Sequence, residues 1–158
     1  MRKIKAFVFD IGDTIYPSSQ TRLEALKEIM EKYGLPEDFL GKYLEVESRI
    51  HAREVSNEGT LQRIIKQALD LLNIEMDAAE VAWEMRKAHW KRTRKFFTET
   101  ELGKEFQKVV NFLRERGYKT AILSDNAIIN KNWYIEFWKE LRLGFDAFVV
   151  SEEVQANK

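Results

Sequence analysis

The chemically capable groups of this sequence are carboxylates and hydroxyls placed where apolar runs stop. Asp10-Ile11-Gly12-Asp13-Thr14 follows Ile4-Lys5-Ala6-Phe7-Val8-Phe9, Ser124-Asp125-Asn126 follows Thr120-Ala121-Ile122-Leu123, and Ser151-Glu152-Glu153 follows Ala147-Phe148-Val149-Val150. Carboxylate oxygens can carry a proton, attack an electrophile or bind a hard cation, and seryl and amide groups can hydrogen-bond an anion. Thiol chemistry is excluded, because the chain has no cysteine, and with it go disulfides and cysteine zinc sites. Two histidines far apart, His51 and His89, argue against a histidine-based metal site and hence against a zinc enzyme.

Charge and hydropathy narrow the partners. Lysine plus arginine number 26 and aspartate plus glutamate number 26, so no global field draws in nucleic acid or an anionic membrane. An anionic small molecule would have to be held locally. The longest apolar runs are about seven residues, far below the roughly 20 of a membrane helix. The amino-terminal run ends in Asp10 rather than a small-residue cleavage site. A soluble, cytoplasmic protein is expected.

Elements that would position these groups can be read from spacing. Ile4 to Phe9 reads as a buried strand covered on both faces, because its apolar residues occupy both parities. Leu23, Leu26, Ile29, Met30 and Tyr33 then recur at helical spacing until Gly34-Leu35-Pro36. Helix-forming sequence continues, with Leu61, Ile64, Ile65, Ala68, Leu69 and Leu72 on one face and Asp77 as the cap of a helix running toward Trp90. Near Thr98 the regime changes. Phe106, Val109, Val110 and Leu113 mark a helix closed by Gly117, and Tyr118 to Leu123 reads as a strand. Trp133, Phe137, Trp138 and Leu141 line another helix ended by Gly144, before a strand at Ala147 to Val150. The expectation is an α/β core, residues 1–16 and 98–158, split by a helical insertion at 17–97. The four tryptophans fit apolar helix faces and read as core; Arg49, His51 and Arg53 read as a solvated helix face that could also meet a substrate.

In open α/β sheets, ligands bind beyond the carboxyl ends of the strands, where all three polar segments fall. Asp10-Ile11-Gly12-Asp13-Thr14 resembles the first motif of the haloacid dehalogenase-like (HAD) hydrolases, normally Asp-x-Asp-x-Thr. Ser124 after its apolar strand resembles the second motif, and Phe145 to Glu153 with Lys158 is similar to the stretch leading to the third, a lysine. The resemblance covers essentially the whole chain. It implies a Rossmann-like parallel sheet with a helical cap inserted after the first strand, and a Mg²⁺-dependent phosphatase of a small phosphorylated metabolite. Asp10 would be the nucleophile forming an aspartyl-phosphate; Ser124, Asp125 and Asn126 would bind the phosphate; Lys158 would add positive charge; and Asp10 with the Gly12 carbonyl would hold Mg²⁺. Each segment also has a plainer reading as a loop start, and Lys158 as a solvated terminal lysine.

Two departures qualify the resemblance. The family's acid and base, two residues after the nucleophile, is Gly12 here, and Asp13 could take over the proton only if the loop curls, since side chains alternate along extended backbone. A 2-haloacid dehalogenase, which lacks that acid and needs no metal, is therefore the alternative, although that branch usually carries tyrosine there. The family's fourth motif, an acidic pair, would follow Lys158, so the resemblance implies a core without its carboxyl-terminal part. That opens a second alternative, a catalytically silent HAD-like binding domain. It also leaves Ala6 to Phe9 as an apolar sheet edge through which the chain would self-associate.

Overall fold

The computed structural model of this chain describes residues 4–155. It divides into two compact units, one comprising residues up to Pro17 and from Arg94 onward, the other Ser18–Thr93. Helix α4 belongs to both, running from Ala78 to Glu99.

The first unit holds a three-stranded parallel sheet in the order β1 (Ala6–Phe9), β2 (Lys119–Ser124), β3 (Ala147–Val150). Phe7 pairs with Thr120 and Phe9 with Ile122, while Ile122 pairs with Phe148 and Ser124 with Val150. Paired residues share a face in a parallel sheet, so Phe7, Phe9, Ile122 and Phe148 look the same way. Against that face pack α5 (Glu101–Glu115), α6 (Ile128–Glu140) and the end of α4. Phe9 meets Phe106 edge-on at 5.5 Å, Phe97 lies 6.3 Å from Phe137, and Trp138 stacks on Phe148 at 5.2 Å.

The expectation that Ile4 to Phe9 is covered on both faces is not met. Among the described residues β1 has one neighbouring strand, and Ala6 and Val8 point to an open face with Val8 64% exposed. The same face carries Leu123 at 40% exposure. Apolar residues of both parities marked a strand, but not how many layers cover it.

Local chemistry sets the helix ends. Thr100 caps α5 by accepting the Gly103 N–H at 3.0 Å, and Phe106, Val110 and Leu113 bury one face. Val109, expected on that face, is exposed. Gly117 at φ +77 closes the helix with its N–H on Arg114 and that of Tyr118 on Leu113. Gly103 permits close approach of α5 to the end of α4, since a Cβ there would lie 2.6 Å from the Phe97 Cα. Helix α6 ends earlier than Gly144 suggests: Leu141 is its C-cap, and Arg142 takes the left-handed position at φ 57.

The second unit consists of α1 (Ser18–Tyr33), α2 (Asp38–His51), α3 (Thr60–Leu71) and α4 as far as Thr93. Leu26, Ile29, Phe39, Val46, Ile65 and Val81 are among its fully buried residues. As expected, Gly34 ends α1, with φ +64, and Asp77 caps α4, accepting the Ala79 N–H at 2.8 Å. Polar contacts fasten α1 to α4: Tyr33 donates to Glu80 at 2.8 Å, Lys32 pairs with Glu84 at 2.9 Å, and Arg92 with Glu28 at 2.7 Å. Tyr43 is buried and donates to Glu47, which pairs with Arg22 at 3.1 Å; burial pushes the phenol's pKa upward. Trp138 is buried as expected of core, whereas Trp83 is 45% exposed. Among the described residues no helix is long and apolar enough to cross a membrane.

Candidate active site

Parallel pairing brings the chemically capable segments to one end of the sheet. Phe9 is level with Ile122, so Asp10 leaves β1 one residue before Ser124 ends β2, on a strand about 4.8 Å away. Val150 is level with Ser124, so Ser151 starts α7 (Ser151–Val154) at the same end. No helical crossover could have delivered them there had the strands been antiparallel.

The loop after β1 is a tight curl. The Ile11 carbonyl accepts the N–H groups of Ile15 and Tyr16, each at 3.1 Å, and Asp13 donates its N–H to the Tyr16 carbonyl at 2.8 Å. Asp13 has φ 56, which breaks the extended alternation that would have carried its side chain steadily away from Asp10. Buried anchors hold the curl: Ile11 is 2% exposed, and Tyr16, 1% exposed, packs on Phe96 and Phe97. The curl carries Thr14 back, so that its hydroxyl donates to the Asp10 carboxylate at 3.1 Å. This bond orients one carboxylate oxygen, Oδ2. The spacing of Asp10 and Thr14 is legible in the sequence; the bond between them needed the left-handed Asp13, which no turn glycine announces.

On β2, Ser124 is 4% exposed, the last of a buried series with Thr120 and Ile122. Asp125 is exposed in the following turn. Asn126 is committed to that turn: its N–H donates to the Ser151 hydroxyl at 3.1 Å, and its side-chain carbonyl accepts from Ala127 N–H at 3.1 Å and from Asn130 at 2.5 Å. Ser151, Glu152 and Glu153, to which the sequence reading gave no role, close the third side. Glu153 pairs with Lys131 at 2.6 Å and accepts the Val150 N–H, and these, the lysine first, hold its carboxyl below the usual glutamate range. Lys158 lies outside the described residues. Arg49 and His51 are exposed on α2, where Arg49 donates to Gln67 at 2.7 Å and His51 lies 3.3 Å from the Ser56 hydroxyl; Arg53 is exposed in the loop that follows.

The donor set around Asp10 suits a hard cation in kind. A carboxylate and the Gly12 carbonyl are oxygen ligands of the type Mg²⁺ takes. Among the described residues, no three acidic or histidine side chains gather into a self-sufficient metal cage.

Comparison with known proteins agrees with this architecture. A sequence model of the haloacid dehalogenase-like hydrolases matches residues 4–158. No curated protein sequence matches significantly. Among solved structures, the chain resembles YfnB from Bacillus subtilis, a protein assigned as a HAD-hydrolase and bound to magnesium, at 14% identity and a TM-score of 0.69, covering 96% of this chain and 67% of that one. It is similar to a dehalogenase at 15% identity and TM-score 0.59, covering 100% and 67%. It is also similar to a Thermotoga maritima protein assigned as a β-phosphoglucomutase, at 17% identity and TM-score 0.60, covering 98% and 65%. At these identities the likeness concerns the fold, and the chain spans about two thirds of the length of those structures.

Proposed function

The chain belongs to the haloacid dehalogenase-like hydrolases, and from that premise we propose that it serves a Mg²⁺-dependent phosphatase of a small phosphorylated metabolite, with Asp10 as nucleophile. The observation that carries this reading is the Asp10 carboxylate at the carboxyl end of β1, oriented by Thr14 at 3.1 Å and one residue out of register with Ser124 on the adjoining strand.

An Asp10 carboxylate oxygen attacks phosphorus while the bond to the ester oxygen breaks, giving an aspartyl-phosphate and an alkoxide. Asp13 gives the leaving oxygen its proton. It then takes a proton from the water that attacks the acyl-phosphate, which restores the Asp10 carboxylate and releases inorganic phosphate. The Ser124 hydroxyl donates to a phosphoryl oxygen, and Lys158 is the proposed nearby positive charge. Mg²⁺, held by the Asp10 carboxylate and the Gly12 carbonyl, would neutralise charge on the phosphate.

Glycine at position 12 favours one second reading, a 2-haloacid dehalogenase in which Asp10 displaces halide and water cleaves the resulting ester. One assay separates the two. Hydrolysis of p-nitrophenyl phosphate should require Mg²⁺, stop with EDTA, and fall at least about 10³-fold in Asp10→Asn. Chloride release from 2-chloropropionate that ignores EDTA would reverse the assignment, and a phosphatase rate indifferent to Asp10 would remove it.

A further inference from the structure

The turn that carries Ser124 is fastened to the residues after β3 at four points. The Ser151 hydroxyl accepts the Asn126 N–H at 3.1 Å and turns toward the Asn126 carbonyl at 3.4 Å, which the Glu152 N–H also approaches at 3.4 Å. The Glu152 carboxylate then accepts the N–H of Ile128, the first residue of α6, at 2.6 Å. Ser151 is 2% exposed, so its hydroxyl is committed to this contact rather than to solvent.

These bonds have an electrostatic consequence. The amino terminus of a helix such as α6 attracts anions, because its first N–H groups lack intrahelical partners and the peptide dipoles add. Glu152 places a carboxylate of the chain itself on that terminus. A phosphate arriving at the end of β2 finds the first amide of α6 occupied, while the Ser124 turn is held still from its far side.

We propose that Ser151 and Glu152 are positioning residues: they lock the 124–126 turn so that the Ser124 hydroxyl meets the substrate phosphate. This rests on the phosphatase reading above. Neither residue touches the reacting atoms; both act through Asn126 and Ile128.

The test uses the full chain with Mg²⁺, p-nitrophenyl phosphate as substrate and inorganic phosphate as competing anion. Glu152→Ala should raise KM and weaken phosphate inhibition together by about tenfold with a much smaller change in kcat, as loss of a group that orients a binding residue does. Glu152→Gln, which keeps an acceptor oxygen, should recover most of that loss, as should Ser151→Thr relative to Ser151→Ala. Amide exchange at Asn126 and Ile128 reports the latch directly and should accelerate in the alanine variants. Faster exchange with unchanged phosphate affinity would overturn the proposal, leaving the latch a structural tie. Tighter phosphate binding in Glu152→Ala would also overturn it, because an opened helix terminus would then be the better site. A wild-type chain that neither turns over the ester nor is inhibited by phosphate would instead remove the phosphatase reading, and this inference with it.

Discussion

At the scale of residues, Asp10 and Thr14 were legible because their spacing and their place after an apolar run are properties of sequence. Asp13 was half legible. Its identity could be read, but its left-handed backbone at φ 56 could not, and that conformation lets the loop curl and Thr14 reach the Asp10 carboxylate at 3.1 Å. Since Gly12 offers no proton, Asp13→Asn is expected to lower kcat for an alkyl phosphate, whose alkoxide must be protonated as it leaves, by about 10² to 10⁴. An undiminished rate would take Asp13 out of the mechanism. The effect should shrink as the leaving group becomes more acidic, because a weaker base needs less protonation on departure. Ser151 and Glu152 could be read as polar residues after an apolar strand, but not their contacts, because their partners, Asn126 and Ile128, are brought to them only by pairing of β2 with β3.

At the scale of elements, strands and helices were readable and their surroundings were not. Hydrophobic spacing located β1, β2 and β3, yet the open face of β1 depends on what packs beside it, which periodicity within one strand does not encode. The end of α6 was placed late because a glycine was sought where Arg142 takes the left-handed turn. Gly103 was overlooked because the reason for it is the backbone of α4, not its own helix. Gly103→Ala should force α4 and α5 apart and destabilise the α/β unit by about 1–3 kcal/mol, measured by urea unfolding; a neutral result would contradict the close approach. At the amino-terminal end of β2, Asp146 pairs with Lys119 at 2.8 Å and accepts the Thr120 N–H at 2.9 Å. Lys119 first, and then that N–H, hold its carboxyl below the usual aspartate range. Because the folded carboxyl is the stronger acid, the unfolded chain takes up its proton first as pH falls. The stabilisation is full above the ordinary aspartate pKa of about 3.9 and is lost as pH drops through the lower folded value. Asp146→Asn should therefore destabilise at pH 7, with the difference from the parent shrinking as the pH is lowered below the ordinary aspartate range. A difference that persisted in acid would point to packing instead of charge.

At the scale of the whole molecule, zero net charge provides no repulsion to keep copies apart. Among the described residues β1 is an edge strand that exposes Val8, so we propose concentration-dependent self-association, visible in light scattering, which Val8→Lys should suppress. A monodisperse monomer at high concentration would contradict this. The substrate was not legible, since no residue of the helical unit announces a ligand by type or spacing. The central claim concerns one atom of the intact chain, an Asp10 oxygen that bonds to phosphorus. Its most direct test is acid quenching during turnover of a phosphate ester, followed by intact mass and peptide mapping. A single added phosphoryl group, labile to hydroxylamine and confined to the peptide containing Asp10, is the predicted result, and it should be missing in Asp10→Asn. Steady turnover with no phosphoryl-enzyme, or with the label on another residue, would contradict the account.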